Sequence, residues 1–191
     1  MNLSSQLSRT LLVAAFALSA QAALAQQQLV PAQSEVQFTA RQMGVPLDGH
    51  FKKFSAQVAF DPAKLAASKI AFTVDTGSAT LGSRETDAEL PKPTWFNVAK
   101  FPQAQFESTA IKALGGGKFE VAGKLTIKGT AQNVVVPVAL TQSGPTTTAT
   151  GTLPIKRLAF KIGENEWADT SMVADDVTVK FKLALTGVGK L

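Results

Sequence analysis

Few side chains in this chain are equipped for covalent chemistry. His50 is the sole histidine and there is no cysteine, which excludes thiolate metals, thiol nucleophiles and disulfides. A lone histidine cannot complete a Ser-His-Asp relay or a zinc site without partners. Its place beside Gly49 and Phe51 on an alternating stretch points its ring outward. Ser78 follows Gly77, but no base lies near it in sequence. Gly115-Gly116-Gly117-Lys118 lacks the spacing of a phosphate loop and reads as a hairpin turn. Glu164, Glu166, Asp169, Asp175 and Asp176 bracket Trp167, but not at the spacing of a calcium loop. They read as a solvated loop anchored by the indole. Arg157, with Arg41 and Arg84 behind it, is either an exposed charge or a contact for an anionic head group, which a guanidinium grips with two parallel hydrogen bonds. Trp95-Phe96, after Pro93, is either the cap of one end of the fold or a lid over an opening. No catalytic residue and no metal ligand set is assigned.

The elements that must position these residues are strands. Val36, Phe38 and Ala40 alternate with polar neighbours, as do Phe54, Ala56, Val58 and Phe60. Phe51 to Phe54 is an odd step, so a bulge or bend is expected at Lys52-Lys53. Further alternating runs follow at Ile70–Val74, Ala104–Ala110, Phe119–Ile127, Val134–Leu140, Thr146–Phe160 and Val177–Leu185. Pro137 and Pro154 fall inside two of them, which requires poorly bonded, edge-like positions. Only Gly77–Lys100 breaks the pattern. Ser83 as N-cap, then Glu85, Ala88 and Leu90, predicts a short helix ending before Pro91. The expectation is an all-β fold: an eight-stranded antiparallel, lipocalin-like barrel with a helical insertion around residues 83–98.

The first 25 residues read as a cleaved export leader. Arg9 supplies a positive start, Leu11–Ala20 a short apolar run, and Ala23-Leu24-Ala25 a small-x-small cleavage site. The mature domain is then expected at 26–191, in the periplasm. The formal charge of +5 falls to +4 without Arg9. The lysines are scattered, which disfavours nucleic acid and leaves room for mild attraction to an anionic membrane surface.

The inward stripes could be plain core or the wall of a cavity, and periodicity alone does not choose. Phe38, Ala40, Phe54, Val58, Phe72, Phe106, Ala110, Phe119, Val121, Phe181 and Leu183 are the candidate wall residues. Trp95, Phe96, Arg157 and Trp167 are the candidates for the mouth or a head-group contact.

Four phrases in order carry a resemblance. They are Ser34-x-Val36-x-Phe38 with Gly49-x-Phe51-x-x-Phe54 and Phe60-Asp61; the run from Thr86 to Phe106; Val121-x-Gly123-x-Leu125-Thr126-Ile127-x-Gly129; and Phe160–Trp167 with Val173–Val177. Together they resemble the YceI-like family over about Ser34 to Leu185. The resemblance implies a lipocalin-like barrel whose apolar interior holds an isoprenoid lipid, such as an isoprenoid quinone or a polyprenyl phosphate. It implies sequestration without catalysis and no cofactor beyond that lipid, and it leaves membrane contact and a homodimer open. Two positions depart from the family pattern. Gln42 stands where many relatives have His, and Thr86-Asp87-Ala88-Glu89-Leu90 replaces an Arg-Asp-x-His-Leu phrase. Burying about 400 Å² of lipid tail at ~25 cal/mol/Å² yields ~10 kcal/mol. Association and ordering cost ~4–15 kcal/mol, so micromolar or tighter binding needs few polar contacts.

Overall fold

The computed structural model describes residues 27–191, so the leader expected at 1–25 lies outside the described residues. The strands are β1 (Gln28–Leu29), β2 (Glu35–Gln42), β3 (Val45–Phe51), β4 (Phe54–Ala59), β5 (Lys69–Asp75) and β6 (Ala79–Thr80), then β7 (Gln103–Gly115), β8 (Lys118–Ile127), β9 (Thr130–Ser143), β10 (Thr146–Lys156) and β11 (Asp176–Thr186). One helix, α1 (Arg84–Glu89), precedes a chain of turns through Trp95 and Phe96. The strands form one antiparallel sheet in the order β4-β5-β7-β8-β9-β10-β11-β2-β3-β6, with β1 on β11. This curled all-β sheet is the expected class, with more strands than the eight that alternation separates.

The difference has local causes. The odd step at Lys52-Lys53 is a strand switch and not a bulge. β3 pairs with β2 while β4 pairs with β5, on opposite flanks of the sheet. Ser78 pins the crossing, accepting from Lys52 N at 3.1 Å through its carbonyl and from Lys53 N at 3.0 Å through its hydroxyl. The β2–β3 turn at Met43-Gly44 carries no turn signature in its first residue. β1 and β6 are two residues each, too short for periodicity to register. The run expected as strand to Phe160 ends at Lys156, and Arg157–Phe160 is a 3-10 turn.

The prolines fall where a ladder bond is already absent. The β9–β10 ladder ends at Val138 opposite Gly151, so Pro137 and Pro154 both lie past the point where these strands part. The seam at the other side is closed by the chain's first described residues. β1 pairs with the end of β11, and Gln27 bridges to Val58 on β4. The Gln27 side chain donates Nε2–H to the Phe60 carbonyl at 2.6 Å and accepts from Phe60 N at 2.8 Å. This end is the base, where Phe60 and Phe119 meet edge to face at 5.4 Å. At the opposite, cap end, Ile127, Phe160 and Ile162 pack with Trp95, Phe96 and Ile155.

Three phenylalanines lie flat on the wall because the facing strand has no side chain there. Phe38 covers Gly49, Phe106 covers Gly123 and Phe181 covers Gly151. A Cβ on Gly151 would sit 2.6 Å from the Pro137 carbonyl oxygen and collide with the Phe181 ring. Gly151→Ala must therefore push the ring toward the lumen. It is expected to cost about 1–3 kcal/mol in urea unfolding, the usual range for overpacking. An unchanged urea midpoint would show that the ring moves without penalty.

Candidate functional site

The barrel interior is not filled. A cavity of about 350 Å³ runs along it. That lies in the range of small-molecule sites and is more than twice the engineered apolar cavity known to hold benzene. Phe38, Ala40, Val58, Phe72 and Phe106 line it from one side, and Phe119, Val121, Phe181 and Leu183 from the other. Val136, Val138, Ala149 and Val177 also line it, on the same alternating stripes.

Two expected wall residues lie elsewhere, Ala110 through a change of phase and Phe54 through its place at the start of its strand. Ala110 is exposed because β7 carries an irregularity between Ser108 and Ala110. The extra residue, Thr109, flips the alternation, and Ile111 points inward instead. Phe54 is the first residue after the strand switch. Its half-buried ring packs on Phe72 at 5.9 Å and lines a separate slot between β2 and β4. His50 borders that slot, exposed on β3 opposite Gln37 and Thr80, with Lys52 and Lys53. It does not reach the cavity.

Four polar lining residues gather at the cap end, Arg41, Gln42, Thr86 and Glu89, while the buried Thr147 lines the base, where its hydroxyl accepts from Gln142 Nε2 at 3.3 Å. Arg41 and Gln42 are solvent-exposed, so the cavity meets water there. Glu89 pairs with Lys92 at 2.5 Å; both are well exposed, which makes the pair worth little. α1 is held to β6 by its Asp87. One carboxylate oxygen accepts from Leu81 N at 2.6 Å and the other from the Thr80 hydroxyl at 2.5 Å. The Thr80 bond, then the Leu81 bond, hold this carboxyl below its ordinary range. Ser83 stands at the N-cap position, but its hydroxyl donates to the Glu85 carboxylate and accepts no N–H from the helix backbone.

Arg157 is neither of the things its position in the sequence suggests. It is buried, with only 2 % of its surface exposed. Its Nε donates to Ala174 O at 3.0 Å. Nη1 donates to Ile162 O and Gly163 O at 2.9 and 2.8 Å, and Nη2 to Trp167 O and Val173 O at 2.7 Å each. All five guanidinium N–H groups are thereby used. Burial lowers its pKa and the neighbouring Asp175 carboxylate opposes that. Every donor that a head group would use is engaged by a backbone carbonyl. Arg157 instead ties the 162–174 segment into one cap, and it also lines the cavity. Gly163 is required there, since a Cβ would collide with the guanidinium and meet Trp95 at 3.2 Å.

That cap delivers Trp167 to Trp95, with ring centroids 5.4 Å apart, and both rings line the cavity with Phe96. The Trp95 indole N–H is the one buried side-chain polar atom without a partner among the described residues. Four of the five acids around Trp167 meet protein donors, Asp176 through Lys156 at 2.7 Å. Glu164 accepts from the buried Lys128 ammonium at 2.9 Å, Asp169 from Ser171, and Asp175 from Leu158 N. No cluster of three or more metal-type ligands occurs among the described residues.

Comparison with known proteins agrees with this geometry. The structure of Burkholderia cenocepacia BcnA is 49% identical, with a TM-score of 0.79 over 82% of this chain and 98% of that one. A polyisoprenoid binding domain from Saccharophagus degradans, implicated in plant cell wall breakdown, superposes with a TM-score of 0.69 over 84% and 98% of the two chains. At 14% identity it shares the fold alone. A UPF0312 protein of Yersinia pestis is 36% identical over 110 residues, and that stretch spans 57% of each chain, little more than half the relative's length. The model of the YceI-like domain matches residues 27–185, from the residue that closes the seam to the end of the last strand, and the chain belongs to that family.

Proposed function

We propose that this protein carries a long-chain isoprenoid lipid in the barrel cavity and shields its tail from water. The observation that carries this reading is the lumen itself. It is walled almost wholly by aliphatic and aromatic side chains, and its few polar lining residues, apart from the buried Thr147 at the base, are concentrated at the end that opens to solvent. That is the polarity of a lipid: tail toward the base, head group toward Arg41, Gln42, Thr86 and Glu89. The family membership and the polyisoprenoid-binding activity named for the Saccharophagus domain support the same class. An isoprenoid quinone or a polyprenyl phosphate fits the head-group end. The chemistry is sequestration, with no bond made or broken. The leader pattern read at residues 1–25 supports a periplasmic location for this carrier.

The test is native mass spectrometry with organic extraction of protein purified from its own host. A stoichiometric adduct giving prenyl-chain fragments is the expected result. A clean apo mass, with no quenching of Trp95 or Trp167 on titration with a quinone, would discard the carrier in favour of a barrel that acts through protein contacts.

The unpartnered Trp95 N–H gives a sharper prediction. An acceptor oxygen on the head group would pair it, so Trp95→Phe should weaken quinone binding by about 10-fold, the value of roughly one hydrogen bond. In the empty protein the same change removes a buried donor that has no partner, and stability should hold or rise by up to ~1 kcal/mol. Equal losses of affinity and stability would mean that the indole serves only as packing.

A further inference from the structure

The β2–β3 hairpin breaks a rule of its own turn. Met43 and Gly44 form a two-residue connection with φ of +50° and +80°. Such turns favour Asn-Gly or Asp-Gly, because the first residue must adopt a left-handed backbone. A flexible thioether side chain stands there instead, 69% exposed. Val45 next to it is 65% exposed. Met172 joins them from the cap segment at 42% exposure, tied in by Met43 N donating to Met172 O at 2.8 Å. The two loops are clamped further by the Gln42–Val173 bridge and by Ala174 N donating to Arg41 O at 2.9 Å. The result is one rim carrying three outward apolar prongs. Its inner side, through Arg41, Gln42, Leu47 and Val173, is cavity wall.

We propose that this rim is a membrane-docking face, through which the protein seats its mouth on an anionic bilayer while lipid passes between bilayer and cavity. The proposal rests on the carrier reading and adds the surface that loading would use. Apolar residues at a turn tip, where polar ones would suit the backbone better, mark a surface kept for contact. The prongs expose at most a few hundred Å², well below the roughly 800 Å² each partner contributes to a stable protein interface. A bilayer interface accepts prongs of this size without a matching shape. Arg41, whose Nη1 donates to Gly44 O at 3.2 Å, keeps a cation at the tip, and the chain's net charge is positive. Both complement anionic head groups.

The experiment uses the full mature chain and the triple variant Met43→Asn, Val45→Thr, Met172→Ser. Binding is read by co-sedimentation with vesicles of phosphatidylglycerol and phosphatidylethanolamine in equal parts. Uptake of a long-chain quinone is read separately from detergent solution. The variant should lose vesicle binding by about 10-fold or more, since three apolar contacts vanish together. Its uptake from detergent should equal the parent's, and its melting temperature should hold or rise because Asn-Gly suits the turn. Vesicle binding that is absent in the parent, or equal in parent and variant, overturns the docking face. So does a parental dimer that the variant dissolves, which would assign the rim to a second copy. A parent that takes up no quinone from detergent overturns the carrier reading, and vesicle binding still reports on the rim.

Discussion

Arg157→Met should lower the stability of this domain by about 3–5 kcal/mol, the range seen when a buried charge network loses one partner. The substitution keeps the aliphatic bulk but leaves five carbonyls in a closed space with no donor. For a domain of this size that is a fall of roughly 10 °C or more in melting temperature. Arg157→Lys should recover little, because one ammonium has three donors and no planar fork to span carbonyls on both sides. Trp167 lies on the segment Arg157 gathers, so its fluorescence should redden as the Trp95 stacking loosens. The neighbouring Lys156→Met is the control. Lys156 meets Asp176 at 2.7 Å in an exposed pair and should matter by under ~1 kcal/mol. Matching melting curves for the Met variants at 156 and 157 would contradict the account of the cap.

Ala149→Phe should separate binding from stability in the opposite sense. Ala149 is buried on β10 between Leu140 and Leu183 and lines the lumen. A phenyl ring there occupies space that the tail of a lipid would need. Excluding about 100 Å² of tail at ~25 cal/mol/Å² removes ~2.5 kcal/mol, close to a 100-fold loss of affinity. The empty protein should melt at the same temperature or higher, since the ring fills a void that costs packing energy. Val135→Phe, on the exposed face of β9, adds the same ring outside and should leave quinone affinity unchanged. Parent-like affinity in Ala149→Phe would place the ligand elsewhere than the lumen.

Alternation made most of the wall legible from sequence, because a strand buried on one face writes its inward residues at every second position. It failed where the backbone changes phase. Thr109 inserts one residue and turns Ala110 outward. Lys52-Lys53 carries the chain from one flank of the sheet to the other, which a local pattern cannot distinguish from a bulge. The Met43-Gly44 turn was hidden because its first residue is not a turn former. Arg157 failed for a different reason. The carbonyls it binds lie between residues 162 and 174, so its role exists only once that segment has folded back. Trp95 and Trp167 were both expected at the mouth, yet their contact spans 72 positions (167 − 95) and leaves no trace in local spacing.

The seam at the base fixes how the molecule can be held. Gln28 lies opposite Thr186 in the β1–β11 ladder, so the two ends of the folded unit are neighbours there. The mouth, with Arg41 and Gln42, is at the far end of the same strands. A linker attached at either end therefore orients the protein with its opening facing away from the attachment point. The same adjacency lets a short loop join the two ends, so the chain can be reopened at an exposed turn such as Gly144 without lengthening any path through the sheet. Orientation on a sensor surface and circular permutation are thus both set by one pair of two-residue contacts.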